Sequence, residues 1–300
     1  MSYSLLLLTA LIWGGNAIVT KASAGLISAS EIAFYRWVVA IAVLTPFVIR
    51  PIWRNRAVLA AHGWRLLILG VLGGAGLPYL SYIAAQYTSA MHLGIIQSLM
   101  PLLSLVLAII LLGHRMTYGA LAGGIVSLFG VALVASQGHI AILFTQGPNV
   151  GDAIMLAATI CYALYTVLLK RWPIGQPLLH SLYLQACAAA LTLLPIYALS
   201  PRQGITVASL PLIAYAGIAA SVVAPLLWMR GIHHIGPARA SLFFNFVPVA
   251  TAILAIPLLS EQLTASLALG GIMTMSGVIV AEFWRRPFRD RSHPSAASPA

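Results

Sequence analysis

The feature that most constrains this chain is its regular succession of apolar runs, each about as long as a bilayer is thick. Ten can be read, at about 3–22, 30–49, 64–86, 90–112, 118–136, 150–170, 178–198, 209–230, 238–259 and 265–284. A helix rises 1.5 Å per residue, so some 20 apolar residues cross a hydrocarbon core of roughly 30 Å. Lipid offers no partner for a bare N–H or C=O, so each run satisfies its backbone internally by coiling into a helix. Barrel strands would instead show alternating runs of ~10 residues, and these are absent. Of the 300 residues, 61% are hydrophobic and 7% charged. An average soluble domain carries about 25% charged residues, so this chain lacks the polar surface a soluble fold needs. The expected fold class is an all-α membrane protein with ten transmembrane helices, and its surrounding partner is the lipid bilayer.

The net charge is +11. Such a basic balance can signal nucleic-acid binding. Here the bases sit in the short gaps between apolar runs, which makes them topology signals and excludes a nucleic-acid partner. With the N-terminus in the cytoplasm, most of the 16 Lys and Arg fall on cytoplasmic flanks, from Arg50 and Arg54 through Lys170 and Arg171 to Arg285 and Arg286. Lys21 and Arg202 are left outside, and Arg36 lies within the second run. Trp53, Trp64, Trp172 and Trp284 flank the same cytoplasmic side, as interfacial anchors do. Both termini are thus expected inside, in a bacterial inner membrane. Ala22-Ser23-Ala24 imitates a signal-cleavage site, but the first run lacks a basic start and has a counterpart later in the chain. Residues 285–300, basic and then Ser/Pro/Ala-rich, read as a disordered cytoplasmic tail. Cys161 and Cys187 sit in separate runs and form neither a disulfide framework nor a metal motif.

The chain resembles itself. At an offset of 147, Pro78 pairs with Pro225, Pro101 with Pro248, Gly123-Gly124 with Gly270-Gly271, and Gly130 with Gly277. LLGHRMT at 111–117 falls on LLSEQLT at 258–264. Nearer each start the offset is 149, pairing Lys21 with Lys170 and Pro46 with Pro195. The units are 1–137 and 150–284, each with five helices. An odd number inverts the second unit in the membrane. Inverted repeats are typical of secondary transporters, because exchanging the conformations of the two halves moves the opening from one face to the other.

Three stretches carry a family likeness: ALIWGGNAIVTK at 10–21, FYRWVVA at 34–40 and LLSEQLTASLALGGIMTMSGVIV at 258–280. Together they resemble the EamA family of the drug/metabolite transporter superfamily, over both repeats. At one position the first repeat has His114 where the second has Glu261 and the family often has Glu. The resemblance implies ten helices around a central cavity and export or exchange of small metabolites. Within the family the likeness is to amino-acid exporters, aromatic amino acids included.

Polar side chains inside a bilayer face protein or water, so their positions map a cavity. Thr9, Trp13, Asn16 and Thr20 form one helical stripe. Tyr162 and Tyr165 are the repeat equivalents of Trp13 and Asn16. Tyr79, Tyr82 and Gln86 form a further face. Pro101 and Pro248 each remove an amide from a helix, which frees the carbonyls of Gln97 and Phe244 beside Ser98 and Asn245. The expectation is that both helices bend at these prolines and that Gln97, Ser98 and Asn245 touch cargo, the other reading being static kinks. Arg36 lies roughly 9 Å deep at 1.5 Å per residue. It could attract a carboxylate on an amino-acid substrate, or pair with Glu31 or cap carbonyls structurally, and its repeat partner is Gln185. The glycines spaced by seven in segments 5 and 10 read as close-packing points, either within the chain or against another subunit.

No acidic residue falls at the midplane, which argues against a buried carboxylate that exchanges a proton for a cationic drug. His92 and His180, near helix ends, could still carry protons. No HExxH, GxSxG or paired midplane carboxylates occur, so no enzyme, metal or cofactor is expected. A receptor or assembly subunit, and a nucleotide-sugar or drug transporter, are the competing classes. A nucleotide-sugar carrier would want several cavity bases for phosphate.

Overall fold

The computed structural model describes residues 2–54, 62–113, 117–136, 138–139, 149–172, 177–235, 243 and 246–284. The described residues are helical, with no β-strand. In chain order the helices are α1 (Ser2–Ala22), α2 (Ala29–Arg54), α3 (Gly63–Ala84), α4 (Ala90–Gln97 and Met100–Leu112), α5 (Tyr118–Ala135), α6 (Val150–Arg171) and α7 (Leu178–Leu199). Then come α8 (Leu210–Ala214, Tyr215–Val223 and Ala224–Ile235), α9 (Phe246–Leu259) and α10 (Ala265–Phe283). Among the described residues, seven helical stretches are long and apolar enough to cross a membrane: Ser4–Ala22, Ala29–Arg54, Gly63–Ala84, Ala90–Leu111, Val150–Leu169, Leu178–Leu199 and Leu210–Trp228. Leu121–Val134, Phe246–Leu259 and Ala265–Ala281 are shorter apolar helices. The expected ninth run begins at 238, but 236–242 and 244–245 lie outside the described residues, as does the expected tail 285–300.

Two helices depart from α geometry in the same way. α3 is π-helical over Gly70–Gly76, and α8 over Tyr215–Val223. Each π stretch runs into a proline of the paired set, Pro78 or Pro225. A proline has no amide to return to the preceding turn, so carbonyls four or five residues back lose their helical partner. A wider π turn is one way a helix absorbs that loss. α4 is interrupted without losing its hand: Ser98 and Leu99 form a turn with right-handed helical dihedrals, and Pro101 stands in the first turn of the next piece, where an amide would be unpaired anyway. Pro248 lies within α9, and the residues directly before Phe246 are outside the described ones.

The packing is cross-matched. α2 packs on α7, and α5 on α10. α1 packs on α8 and α9, while α6 packs on α3 and α4. The α8 π stretch also rests on α2, and the α3 π stretch on α7. The closest crossing is α5 with α10. A Cβ added to Gly123 would lie 2.2 Å from the Gly277 carbonyl oxygen, and one on Gly130 would lie 2.6 Å from that of Gly270. Between them Ser127 donates to the Thr274 carbonyl at 2.9 Å, and Thr274 donates back to the Ser127 carbonyl at 3.5 Å. The glycines therefore face each other within one chain, so the alternative of a contact with another subunit does not apply to them.

Polar contacts sort the helix ends into two groups. At one end the Lys21 ammonium donates to the Ala85 carbonyl (2.8 Å), and Asp152 accepts from Thr88 (2.6 Å) and meets His92 Nδ1 at 3.1 Å. Glu261 accepts the N–H groups of Ala90 and Met91 (2.7 and 3.1 Å), capping the start of α4, where negative charge is favoured. At the other end Trp64 and Trp172 pack edge-on at 4.9 Å, and Arg171 donates to the Leu111 carbonyl. The acidic helix caps and the tryptophan-rich flanks thus occupy opposite ends.

Candidate functional site

Between the helices lies a cavity of about 130 Å³, room for a small organic molecule with waters. Its walls come from α1, α2, α3, α4, α6, α7 and α8. Of the residues singled out in the sequence, Trp13, Asn16, Thr20, Arg36, Gln97, Tyr162 and Tyr165 line it. Tyr79, Tyr82 and Ser98 do not. Pro78 and Ser81 stand there instead, one residue earlier along α3. The π stretch just upstream changes the phase of the helix, which a 3.6-residue count cannot anticipate. Tyr82 is buried behind the wall, and Tyr79 packs on the core formed by α2, α3, α7 and α8. The Ser98 hydroxyl is committed to the Ile95 carbonyl at 2.6 Å. Asn245 lies outside the described residues.

Arg36 is 5% exposed. Its Nε and Nη2 both donate to the Ser221 hydroxyl, at 3.0 and 2.9 Å, and Nη1 donates to the Tyr82 hydroxyl at 3.3 Å. The guanidinium lies 5.6 Å from the Trp37 ring centre and 5.9 Å from that of Tyr82, within cation–π range. Among the described residues it has no carboxylate partner. Pairing with Glu31 is not seen: that carboxylate accepts the N–H groups of Ser28, Gln203 and Gly204 at 3.3, 2.9 and 3.0 Å, and the Arg36 hydrogen bonds given above go to hydroxyls rather than to carbonyls. Removing a cation from water costs several kcal/mol, and neutral hydroxyls and ring faces offset only part of it. A cation so placed is a strong receptor for an anionic group. Among the described residues Arg36 is the only charged side chain on the cavity wall.

The other walls are aromatic with scattered polar groups. Tyr162 and Tyr165 rings lie 5.0 Å apart, and the Tyr165 ring covers Gly73 so closely that an added Cβ would meet it at 2.7 Å. Trp13 packs on Trp228 at 5.5 Å. The Asn16 side-chain oxygen is buried with no hydrogen-bond partner. Gln185, the repeat equivalent of Arg36, reaches the same cavity and donates to Ser181 at 2.8 Å.

Residue-by-residue reading missed Trp37, Gly73, Gly74, Ala220 and Ser221, all on the wall. Trp37 and Ala220 read as core, and a lone serine in an apolar run reads as packing. The available signal was the Pro78/Pro225 pair behind the glycine-rich run at 70–76. Trp37 Nε1 donates to the Gly74 carbonyl at 2.7 Å, and Trp13 Nε1 to the Ala220 carbonyl at 3.3 Å. These acceptors lie four and five residues before the two prolines, so each indole takes up a carbonyl that the proline leaves free.

A bundle of apolar helices around a small polar cavity defines an integral membrane protein of the small-molecule transporter class. The chain belongs to the EamA-like transporter family, whose model matches residues 1–136 and 149–283. It is 31% identical to the uncharacterized transporter YyaM of Bacillus subtilis, over 92% of this chain and 94% of that protein. It is 28% identical to an uncharacterized transporter of Archaeoglobus fulgidus, over 92% and 96% of the two chains. Protein PecM of Dickeya dadantii is 26% identical over 73% of each. A solved crystal structure, 20% identical and covering 93% of this chain and 96% of its own, superposes with a TM-score of 0.64 and shares the fold.

Proposed function

We propose that this protein is a secondary transporter that moves amino acids, aromatic ones included, out of the cell by alternating access. The observation that carries the reading is Arg36: a buried guanidinium, on a cavity wall, with no carboxylate partner among the described residues. A substrate carboxylate would supply the missing charge. The rings of Trp13, Tyr162 and Tyr165 would cover an apolar or aromatic body, and Asn16 and Gln97 would offer hydrogen bonds. A diphosphate cargo would ask for more than one cation.

The mechanism rests on two inverted halves, 1–137 and 150–284, each with five membrane-crossing helices. The cross-matched packing supports this, since every contact named above between a helix of one half and one of the other has its counterpart when the halves are exchanged. So does the α5–α10 crossing, where Ser127 meets its own equivalent, Thr274. Both termini lie in the cytoplasm of a bacterial cell, with the Trp64/Trp172 end inward, following the distribution of basic residues.

In this reading the α4 break at Ser98–Leu99 is a hinge held open by Pro101, and Pro248 serves α9. Pro101→Ala should let the helix close across the break. Folding is expected to be intact by size-exclusion profile, with transport slowed about tenfold. Wild-type flux in this variant and in Pro248→Ala would remove the hinge from the mechanism.

The test of the whole reading is purified protein in liposomes, offered a panel of labelled amino acids and other metabolites with and without a pH gradient. Saturable flux of aromatic amino acids is the expected result. Flux of none of them, with flux of another class, would reassign the cargo. No flux of any compound would leave a receptor or assembly subunit.

A further inference from the structure

We infer that Ser221 is the positioning residue through which cargo switches the transporter: a carboxylate on Arg36 displaces the Ser221 hydroxyl and so unlatches the π stretch of α8. This rests on the reading that the cargo's carboxylate binds Arg36.

Adjacent residues of α2 hold both π stretches. Trp37 donates to Gly74 in the π stretch of α3. Arg36 donates twice to Ser221 in the π stretch of α8. Ser221 is 2% exposed, and its hydroxyl proton goes to the Ala216 carbonyl at 2.7 Å, five residues back. That contact spans one π turn, so the hydroxyl is stitched into the wide turn by its proton and into α2 by its lone pairs. The geometry is a three-part chain: guanidinium, hydroxyl, π-turn carbonyl.

Two of the guanidinium's nitrogens, Nε and Nη2, converge on the one serine oxygen. These same nitrogens form an edge of the fork that grips a carboxylate through two parallel bonds. A carboxylate approaching that edge competes with the serine for the same protons. It wins because a charged acceptor makes a stronger bond than a neutral hydroxyl. Ser221 then loses its hydrogen bonds to α2, and the π stretch of α8 keeps van der Waals packing on α2 and two hydrogen bonds to α1, Trp13 to the Ala220 carbonyl and the Tyr215 hydroxyl to the Ile12 carbonyl. Pro225 cannot donate to the carbonyls behind it, so this segment lacks part of the ladder that would otherwise fix its register. Cargo binding and release of the segment become one event. This gives an empty carrier a reason to stay latched.

The test uses full-length protein and labelled L-phenylalanine. Without Ser221 the cargo has no competitor for Arg36, and the segment is no longer latched in the empty state. Ser221→Ala is therefore expected to tighten L-phenylalanine binding about tenfold, the size of a hydrogen bond to a charged group, read by intrinsic tryptophan fluorescence. It should also raise net efflux into phenylalanine-free medium toward the rate of exchange, because the empty carrier now returns without cargo. Ser221→Thr keeps the hydroxyl and should restore wild-type values for both. If Ser221→Ala does not fold, Ser221→Gly makes the same deletion. An unchanged Kd and an unchanged ratio of net efflux to exchange would overturn the inference, provided Arg36→Gln abolishes transport. If Arg36→Gln transports normally, or L-phenylalanine is not carried at all, the underlying reading of the site fails, and this one with it.

Discussion

Replacing Arg36 with glutamine is expected to abolish transport, by at least about 100-fold at subsaturating substrate, while leaving the folded protein as stable as before or more so. The two halves of that expectation come from one fact. Arg36 is a buried cation served by two hydroxyls and two ring faces and by no carboxylate. A charge-assisted fork to a substrate carboxylate is worth more than a neutral amide can replace. In the empty protein, however, the same charge is a standing desolvation cost, and glutamine removes it. Arg36→Lys should fall between, because an ammonium keeps the charge and loses the fork. The measurements are initial uptake into liposomes and thermal unfolding of detergent-purified protein. A variant that loses transport together with a large drop in Tm would mark Arg36 as a structural strut instead. One that keeps full transport would remove it from the substrate site.

The second large effect concerns neighbouring glycines. Gly123→Ala should destabilise the protein by about 3 kcal/mol or more, and Gly124→Ala should be neutral or slightly stabilising. The new methyl at 123 would press on backbone, 2.2 Å from the Gly277 oxygen and 2.6 Å from the Ala281 nitrogen, and backbone of two packed helices cannot step aside. The methyl at 124 would meet only Leu102 side-chain carbons, the nearest at 3.6 Å, an ordinary contact. The second copy repeats the contrast. At Gly270 the methyl would lie 2.5 Å from Val134 Cγ2 and 2.6 Å from the Gly130 oxygen, whereas at Gly271 it would lie 3.4 Å from Ile95 Cδ1. Monodispersity on size exclusion and unfolding temperature decide the matter. Equal stability of Gly123→Ala and Gly124→Ala would mean that α5 and α10 do not cross as closely as described.

Much of this architecture can be read from the amino acids because lipid is an unforgiving solvent. Length and apolarity alone locate the helices, and α2, α6 and α7 begin within a residue or so of the runs that announced them. Of the stripe Thr9, Trp13, Asn16 and Thr20, the last three reach the cavity because α1 is a regular helix over that stretch and a 3.6-residue period holds, whereas Thr9 lies buried beyond it with its hydroxyl on the Leu5 carbonyl. The same arithmetic fails in α3, where the wall carries Pro78 and Ser81 instead of Tyr79 and Tyr82. A π turn leaves no mark on composition; it only shifts everything after it. Ser221 and Trp37 were illegible for another reason. What they do depends on the residue facing them from another helix, and no local pattern records that partner. Pro101 was legible as a disturbance, but whether it bends a helix or merely begins one is decided by the turn at Ser98–Leu99.

In the proposed two-repeat arrangement, the seam between α5 and α10 also bears on how far the two halves can vary. Gly123, Gly130, Gly270 and Gly277 each lean on main chain of the facing helix, so a mutation in either helix injures a surface that both share. Neither can wander alone. The cavity wall is under no such bond: where one copy has Arg36, Trp13 and Asn16, the other has Gln185, Tyr162 and Tyr165. The pocket can therefore be lopsided inside a frame that must stay matched.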